Sequence, residues 1–202
     1  MARPRSFDPD DVLAKAMDAF WAKGYDGSTM DDLAAATGLK KGSLYAAFGD
    51  KNRLYLAAIE RYERVVVDEA IAALRTAADP WRGLSGLFDQ VVAAVQEHRD
   101  RRGCLICNAS VDRAPYDRTV VRRVLSALAR LQRALAAAVR RARPTLTTAD
   151  GDAVASQLLA SYMGLRVMAR AGVAAPELRR IADSALRAAA GGVDRVPERS
   201  PT

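Results

Sequence analysis

Apolar residues recur at helical spacing along nearly the whole chain, so the elements can be placed before any chemistry is considered. Val12, Leu13, Ala16, Ala19 and Phe20 form the buried stripe of a first helix. Its start lies at Asp8-Pro9-Asp10-Asp11, with proline at the first helical position and acids in the first turn. Thr29 predicts a second helix, its hydroxyl capping the first turn while Asp32 answers the capping amide. Met30, Leu33, Ala34 and Thr37 are its inward positions, and Gly38 ends it where a left-handed residue costs least. After Leu39-Lys40-Lys41, a third helix puts Leu44, Ala47 and Phe48 on one side and turns Lys41, Ser43, Tyr45 and Ala46 outward. Asp50 then caps a long helix running from Lys51 to about Arg75, with Leu54, Ala58, Tyr62 and Val65 on one stripe and no breaker.

Asp79-Pro80-Trp81 opens another helix to about Arg99, and Arg101-Arg102-Gly103 separates it from a short one over Cys104 to Asp112. Ala114-Pro115-Tyr116-Asp117 breaks the chain again. Helices follow from Asp117 to Arg141 and from Thr148 to Ala171, with Thr148 expected as the cap, and Pro176 opens a last one ending near Gly191. Hydrophobic residues make up 50% of the 202-residue chain and aromatics 6%, and no alternating run predicts a strand, so the expected class is all-α. No stretch of about twenty residues is free of charge and the opening MARPRSF has no apolar core, which predicts a cytoplasmic protein without a membrane partner.

The span from Thr29 to Lys51 reads as two short helices joined by a tight turn, the outline of a helix-turn-helix whose second helix enters a major groove. A helical hairpin packed in a core is the other reading. Ala19-Phe20, Gly24-Tyr25, Thr29, Leu33-Ala34, Gly38-Leu39, Lys41-Gly42-Ser43-Leu44-Tyr45, Phe48 and Lys51 together resemble the DNA-binding domain of the TetR/AcrR family of transcriptional regulators. That resemblance spans about Phe7 to Tyr62. It implies phosphate contacts by Thr29, Lys51 and the backbone at Gly42, and base-edge positions for Lys40, Lys41, Ser43 and Tyr45. Ala46 and Ala47 depart from many relatives, which carry larger side chains there.

Net charge is +7, yet residues 1–62 hold nine Lys/Arg against nine Asp/Glu. Electrostatic attraction to DNA must therefore come from local placement: Arg3 and Arg5 on an N-terminal arm, Lys40 and Lys41 at the turn, and Lys51 opening the next helix. The expected division is an arm and reading head at 1–50, a helical effector-binding and dimerisation domain at 51–192, and a disordered tail at 193–202.

The last two long helices are apolar on more than one side. The resemblance implies a homodimer through a four-helix interface, with Leu158, Leu165, Leu178, Ile181, Ala185 and Leu186 as the candidates; a monomer's core is the other reading. Phe88, Val92, Cys104, Asn108, Leu128, Gln132, Tyr162, Met163 and Arg166 are candidate walls of an effector pocket, and they suit a helical core equally well. Cys104 and Cys107 share a helical face just after Arg99, Arg101 and Arg102, a setting that fits a reactive thiol, while burial as small apolar residues is the plainer reading. The Gly103-Cys104-Leu105 run resembles a branch of the family that includes electrophile- and oxidant-responsive repressors. With His98, the two cysteines fall short of a metal-ligand set, so no metal or cofactor is expected. His98 itself reads as a solvated or capping residue. Neither a phosphate-cradling glycine loop nor a nucleophile with base and orienter is present, which argues against an enzyme.

The function this predicts is a sequence-specific repressor of a palindromic operator, released by a small molecule or an electrophile. A constitutive or architectural DNA binder and a helical interaction module are the competing classes.

Overall fold

The computed structural model describes residues 7–97 and 99–191; Arg3, Arg5, His98 and the 193–202 tail lie outside them. The described residues are helical, without strands: α1 (Pro9–Lys23), α2 (Met30–Thr37), α3 (Lys41–Phe48), α4 (Lys51–Tyr62), α5 (Asp68–Thr76), α6 (Pro80–Glu97), α7 (Leu105–Asp112), α8 (Arg118–Ala142), α9 (Thr148–Ala171) and α10 (Ala175–Ala189). None of these helices is long and apolar enough to cross a membrane.

Packing sorts the chain into two compact units, one running up to Ala72 and including Arg102–Leu131, the other holding Ala73–Arg101 and the chain from Gln132 onward. In the first, α1 packs on α2 and α4, and α7 packs on α1 and α4. Its centre is aromatic: Phe20 and Tyr55 are fully buried, their ring centroids 5.0 Å apart and edge to face. Each such ring contributes roughly 2–3 kcal/mol of burial energy. Leu33, Leu44, Leu54, Ala58 and Ile59 close the core around them.

The short-range expectations hold where a cap sets them. Asp8 accepts from the Asp10 amide at 2.9 Å, and Gly24 ends α1 at φ 77°. Thr29 and Asp32 form the reciprocal box at the head of α2, and Gly38 takes the left-handed conformation at φ 72°. In α9 the cap is Thr147, not Thr148: the Thr147 hydroxyl accepts from the Asp150 amide at 3.2 Å, so Thr148 is already helical. Either threonine stands near an acid, and only the backbone conformation distinguishes them.

The rod expected from Lys51 to Arg75 is interrupted by a π-turn over Glu63–Val67. Such a turn inserts a residue without breaking the helix, so no proline or glycine announces it. Its effect is a phase shift: the buried stripe Leu54, Ala58, Tyr62 resumes at Val67, Ile71 and Leu74, while Val65 is left half-buried. Glu63, at the start of the turn, is only 7% exposed. Its carboxylate lies 3.6 Å from Arg123 and 3.8 Å from Arg130, and these two arginines also pair with Glu60 and Asp68.

In the second unit α6, α9 and α10 pack on one another. Leu84, Phe88, Val92, Leu158, Tyr162, Leu165, Leu178 and Ala182 are buried there. Arg141 donates to the carbonyls of Leu74, Arg75 and Ala77, tying down acceptors that the end of α5 leaves without helical partners.

Candidate nucleic-acid interface

Leu44 is the buried anchor of α3 at 1% exposure, Ala47 and Phe48 are half-buried, and most of the other positions of this two-turn helix face outward. Lys40, Lys41, Gly42 and Tyr45 are exposed and Ser43 is half-buried, so all five expected residues of the turn and recognition helix lie on or beside one open surface, with Ala46 exposed next to them. Tyr45 is 47% exposed, so its ring is not part of the core. Lys40 occupies the N-cap position with no side-chain cap bond. Its carbonyl accepts from the Ser43 and Leu44 amides, but the amides before them have no capping acceptor, so the positive end of the helix dipole is open to an anion.

Gly42 has an ordinary helical backbone, and a Cβ there would meet nothing within 4 Å. The protein's own packing therefore does not require glycine at this position.

Thr29 is engaged within the protein. Its amide donates to Asp32 at 2.9 Å and its hydroxyl accepts from the Asp32 amide at 3.1 Å. The Lys23 ammonium and then the Thr29 hydroxyl and amide hold the Asp32 carboxyl well below the usual carboxylate range. Lys41 pairs with Asp31 at 2.7 Å, both side chains largely exposed. Asp31 is a member of the surface that sequence reasoning passed over, because an acid in a first helical turn already has a sufficient role there.

Lys51, the first residue of α4, has its ammonium 4.3 Å from the centroid of the Tyr25 ring. The same ring carries the Arg113 guanidinium at 4.6 Å. Tyr25 was recognisable as part of a motif, but its two cations come from elements 26 and 88 positions away in sequence, a proximity that no local pattern signals.

The remaining candidates fall in different places. Phe88, Val92, Gln132, Tyr162, Met163 and Arg166 belong to the second unit, and Cys104, Asn108 and Leu128 to the first. Phe88 and Tyr162 meet edge to face at 5.8 Å, and Arg166 donates to the Tyr162 hydroxyl at 2.7 Å. Gln132 is turned to Ser156, donating at 2.9 Å. Cys104, Cys107 and Asn108 are buried, at 7%, 6% and 8% exposure. Of the dimer candidates, Leu158, Leu165 and Leu178 are at most 1% exposed within a single protomer, so they form its own core and have no surface for a partner. Ile181, Ala185 and Leu186 are half-buried. The open face of α9 lies elsewhere, along Ala153, Gln157, Ala160, Gly164, Val167, Met168 and Ala171.

An exposed, uncapped recognition helix, carried by a capped helix and an aromatic core, defines a helix-turn-helix DNA-binding protein. Residues 12–58 match the family of bacterial regulatory proteins called tetR, and residues 80–185 match the tetracyclin repressor-like C-terminal domain. The chain thus belongs to the TetR family. It is 29% identical to the HTH-type transcriptional repressor ComR of Escherichia coli (strain K12) over 92% of this chain and 90% of that protein. Its match to the HTH-type transcriptional regulator YezE of Bacillus subtilis (strain 168) is 27% identical, over 60% of this chain and 63% of that protein. Among solved structures, a cysteine mutant of the TetR-family regulator CifR, complexed with 26-bp double-strand operator DNA, superposes with a TM-score of 0.81. That pair is 30% identical over 92% of this chain and 99% of the other. The protein is accordingly a DNA-binding transcriptional regulator that works as a homodimer, and not an enzyme.

Proposed function

We propose that the protein is a cytoplasmic repressor that holds a palindromic operator as a dimer and is released by a small-molecule effector or by modification of a thiol. The observation that carries the DNA half is the open face of α3, where Lys40, Lys41, Gly42 and Tyr45 surround uncapped helix amides. Within it, Lys40, Lys41, Ser43 and Tyr45 read base edges, and Thr29, Gly42 and Lys51 hold phosphates, Thr29 by giving up its bonds to Asp32. Repression is supported by the likeness to ComR, which is named a transcriptional repressor.

For the dimer, the open face of α9 is the surface we assign. Ala160 and Gly164 permit close helix approach, and Val167 and Met168 are 54% and 41% exposed, apolar area that a partner would cover. Two recognition helices about 34 Å apart then meet successive major grooves.

For the input, Cys104 stands at the N-cap of α7 and Cys107 one turn in, both packed. An adduct on either thiol adds volume to a filled site, which costs about 1–3 kcal/mol and favours whichever dimer state relieves it. The Phe88, Tyr162 and Arg166 group offers an apolar ligand a ring and a hydrogen-bonding cation. The competing reading is a constitutive binder with no effector.

The test is to incubate the purified protein with sheared genomic DNA of its host and sequence what it retains, then to repeat the binding after alkylation. Enrichment of palindromic sites, lost on alkylation of the wild type and kept in Cys104→Ser, supports the thiol-responsive repressor. Palindromic enrichment unaffected by alkylation or by any small molecule screened supports the constitutive binder. Retention of random fragments alone overturns sequence-specific reading by this surface.

A further inference from the structure

Lys51 and Lys41 are both cations of the reading head, but they are held in different ways. Lys41 is ion-paired with the Asp31 carboxylate, a partner that competes with DNA phosphate. Lys51 rests on the Tyr25 ring instead, where the attraction is to the ring face. An ammonium has three donors, and this contact leaves them available for an anion. The ring itself is fixed: Tyr55 meets it edge to face at 5.0 Å, and Phe20 stacks on it at 6.4 Å.

Two separate links run from this point to the end of α7. Arg113, its C-cap residue, shares the Tyr25 ring. Arg113 also lies 3.7 Å from Asp117, which accepts from the amides of Thr119 and Val120 at the head of α8 and from the Asn52 side chain at 3.1 Å. Asn52 is the residue after Lys51 on α4. Close contact at this junction is tight, since a Cβ on Gly24 would sit 2.7 Å from an Asp112 carboxylate oxygen. The Arg113 Nε is buried without a hydrogen-bond partner among the described residues, so its placement depends on the ring and on Asp117.

We propose that Tyr25 and Arg113 are positioning residues for a DNA-phosphate contact made by Lys51, and that α7 acts on operator affinity through them. This rests on the reading of Lys51 as a phosphate contact. Because α7 is a single two-turn helix about 12 Å long, a displacement at its cysteine-bearing start is delivered at Arg113, and from there to Lys51 and Asn52. The arrangement makes the ring the shared element: without it Lys51 loses its ring contact and Arg113 keeps only Asp117, and without Arg113 the positive charge and packing beside Lys51 are reduced.

A double-mutant cycle on the full-length protein tests this, with a short labelled DNA duplex of mixed sequence as the probe and affinity followed against salt. Arg113→Met and Tyr25→Leu each weaken binding by about fivefold in the wild-type background, as expected for loss of one cation–π contact in each protomer. Tyr25→Phe, which keeps the ring face, binds like the wild type. In a Lys51→Ala background, which already lacks one phosphate contact per protomer and has a correspondingly shallower salt slope, Arg113→Met changes affinity by less than about twofold. The side-chain methylene protons of Lys51 carry an upfield ring-current shift in the free protein, which Tyr25→Leu removes. Equal losses from Arg113→Met with and without Lys51 overturn the proposal, as does a Tyr25→Phe protein as weak as Tyr25→Leu. If Tyr25→Leu unfolds, the Arg113 and Lys51 arm decides alone. A wild type that binds no DNA would instead refute Lys51 as a phosphate contact.

Discussion

Two exposed charges in the reading head set a residue-level balance. Lys41 and Asp31 are 2.7 Å apart with side chains 48% and 79% exposed, so their pairing is worth at most about 1 kcal/mol and breaks readily when a phosphate or base edge arrives. Asp31 also places a negative charge on the surface proposed to meet DNA. Asp31→Asn is therefore expected to raise DNA affinity up to about fivefold, while Lys41→Ala lowers it and flattens the preference among retained sites. Competition binding with matched and scrambled operators measures both, and an Asp31→Asn protein that binds more weakly would mean that the pair orients Lys41 usefully. Glu63 is a buried counterpart. Burial, opposed by Arg123 and Arg130, pushes its carboxyl above the ordinary 4.5. The folded state therefore keeps this proton where the unfolded chain has released it. Stability from this group is fully present below pH 4.5 and declines as pH rises from there through the raised folded value. Glu63→Gln removes that decline, so urea unfolding across the pH series should show the wild type losing stability relative to the variant as pH rises through this window. Parallel curves would show that the arginines fully offset the burial.

At the scale of elements, local chemistry accounts for what could be read in advance. The capping box of Thr29 and Asp32, the left-handed Gly38 and the proline starts of α1, α6 and α10 are each a few residues of sequence acting on a few residues of backbone. Thr29→Ala should cost about 1 kcal/mol of stability, and Thr29→Ser should restore it; thermal unfolding of the two variants compares them directly, and equal stability would mean that the box is dispensable. What escaped prediction depends on partners distant in sequence. Glu63 reads as one more surface acid until Arg123 and Arg130 are brought to it, and the π-turn there has no breaker to mark it. Cys107 lies on the short helix expected there while Cys104 is the extended residue that caps it, and spacing carries no sign that the far end of this helix reaches Tyr25. The dimer candidates show the same limit. A leucine on a two-sided apolar helix carries no mark of which side meets the protomer's own core, and Leu158 and Leu165 prove to be on that side.

For the whole molecule, the decisive property is the homodimer. A two-fold interface brings the same surface of each protomer against itself, so one substitution there acts twice. Ala160 lies exposed midway along the open face of α9. Ala160→Arg should leave the protomer's stability within about 0.5 kcal/mol of the wild type, because nothing in its own core is touched, yet set like charges against each other across the axis. Sedimentation should then report a monomer at concentrations where the wild type is a dimer. The salt dependence of DNA binding should fall to about half, since each monomer can neutralise only its own set of phosphates. Leu158→Arg provides the contrast: its side chain is 1% exposed inside the protomer, so it should unfold the chain and not merely divide the dimer. If Ala160→Arg remains dimeric with an unchanged salt slope, the open face of α9 is not the interface. The half-buried Ile181, Ala185 and Leu186 of α10 then become the surface to test, by the same introduction of an arginine into an apolar contact.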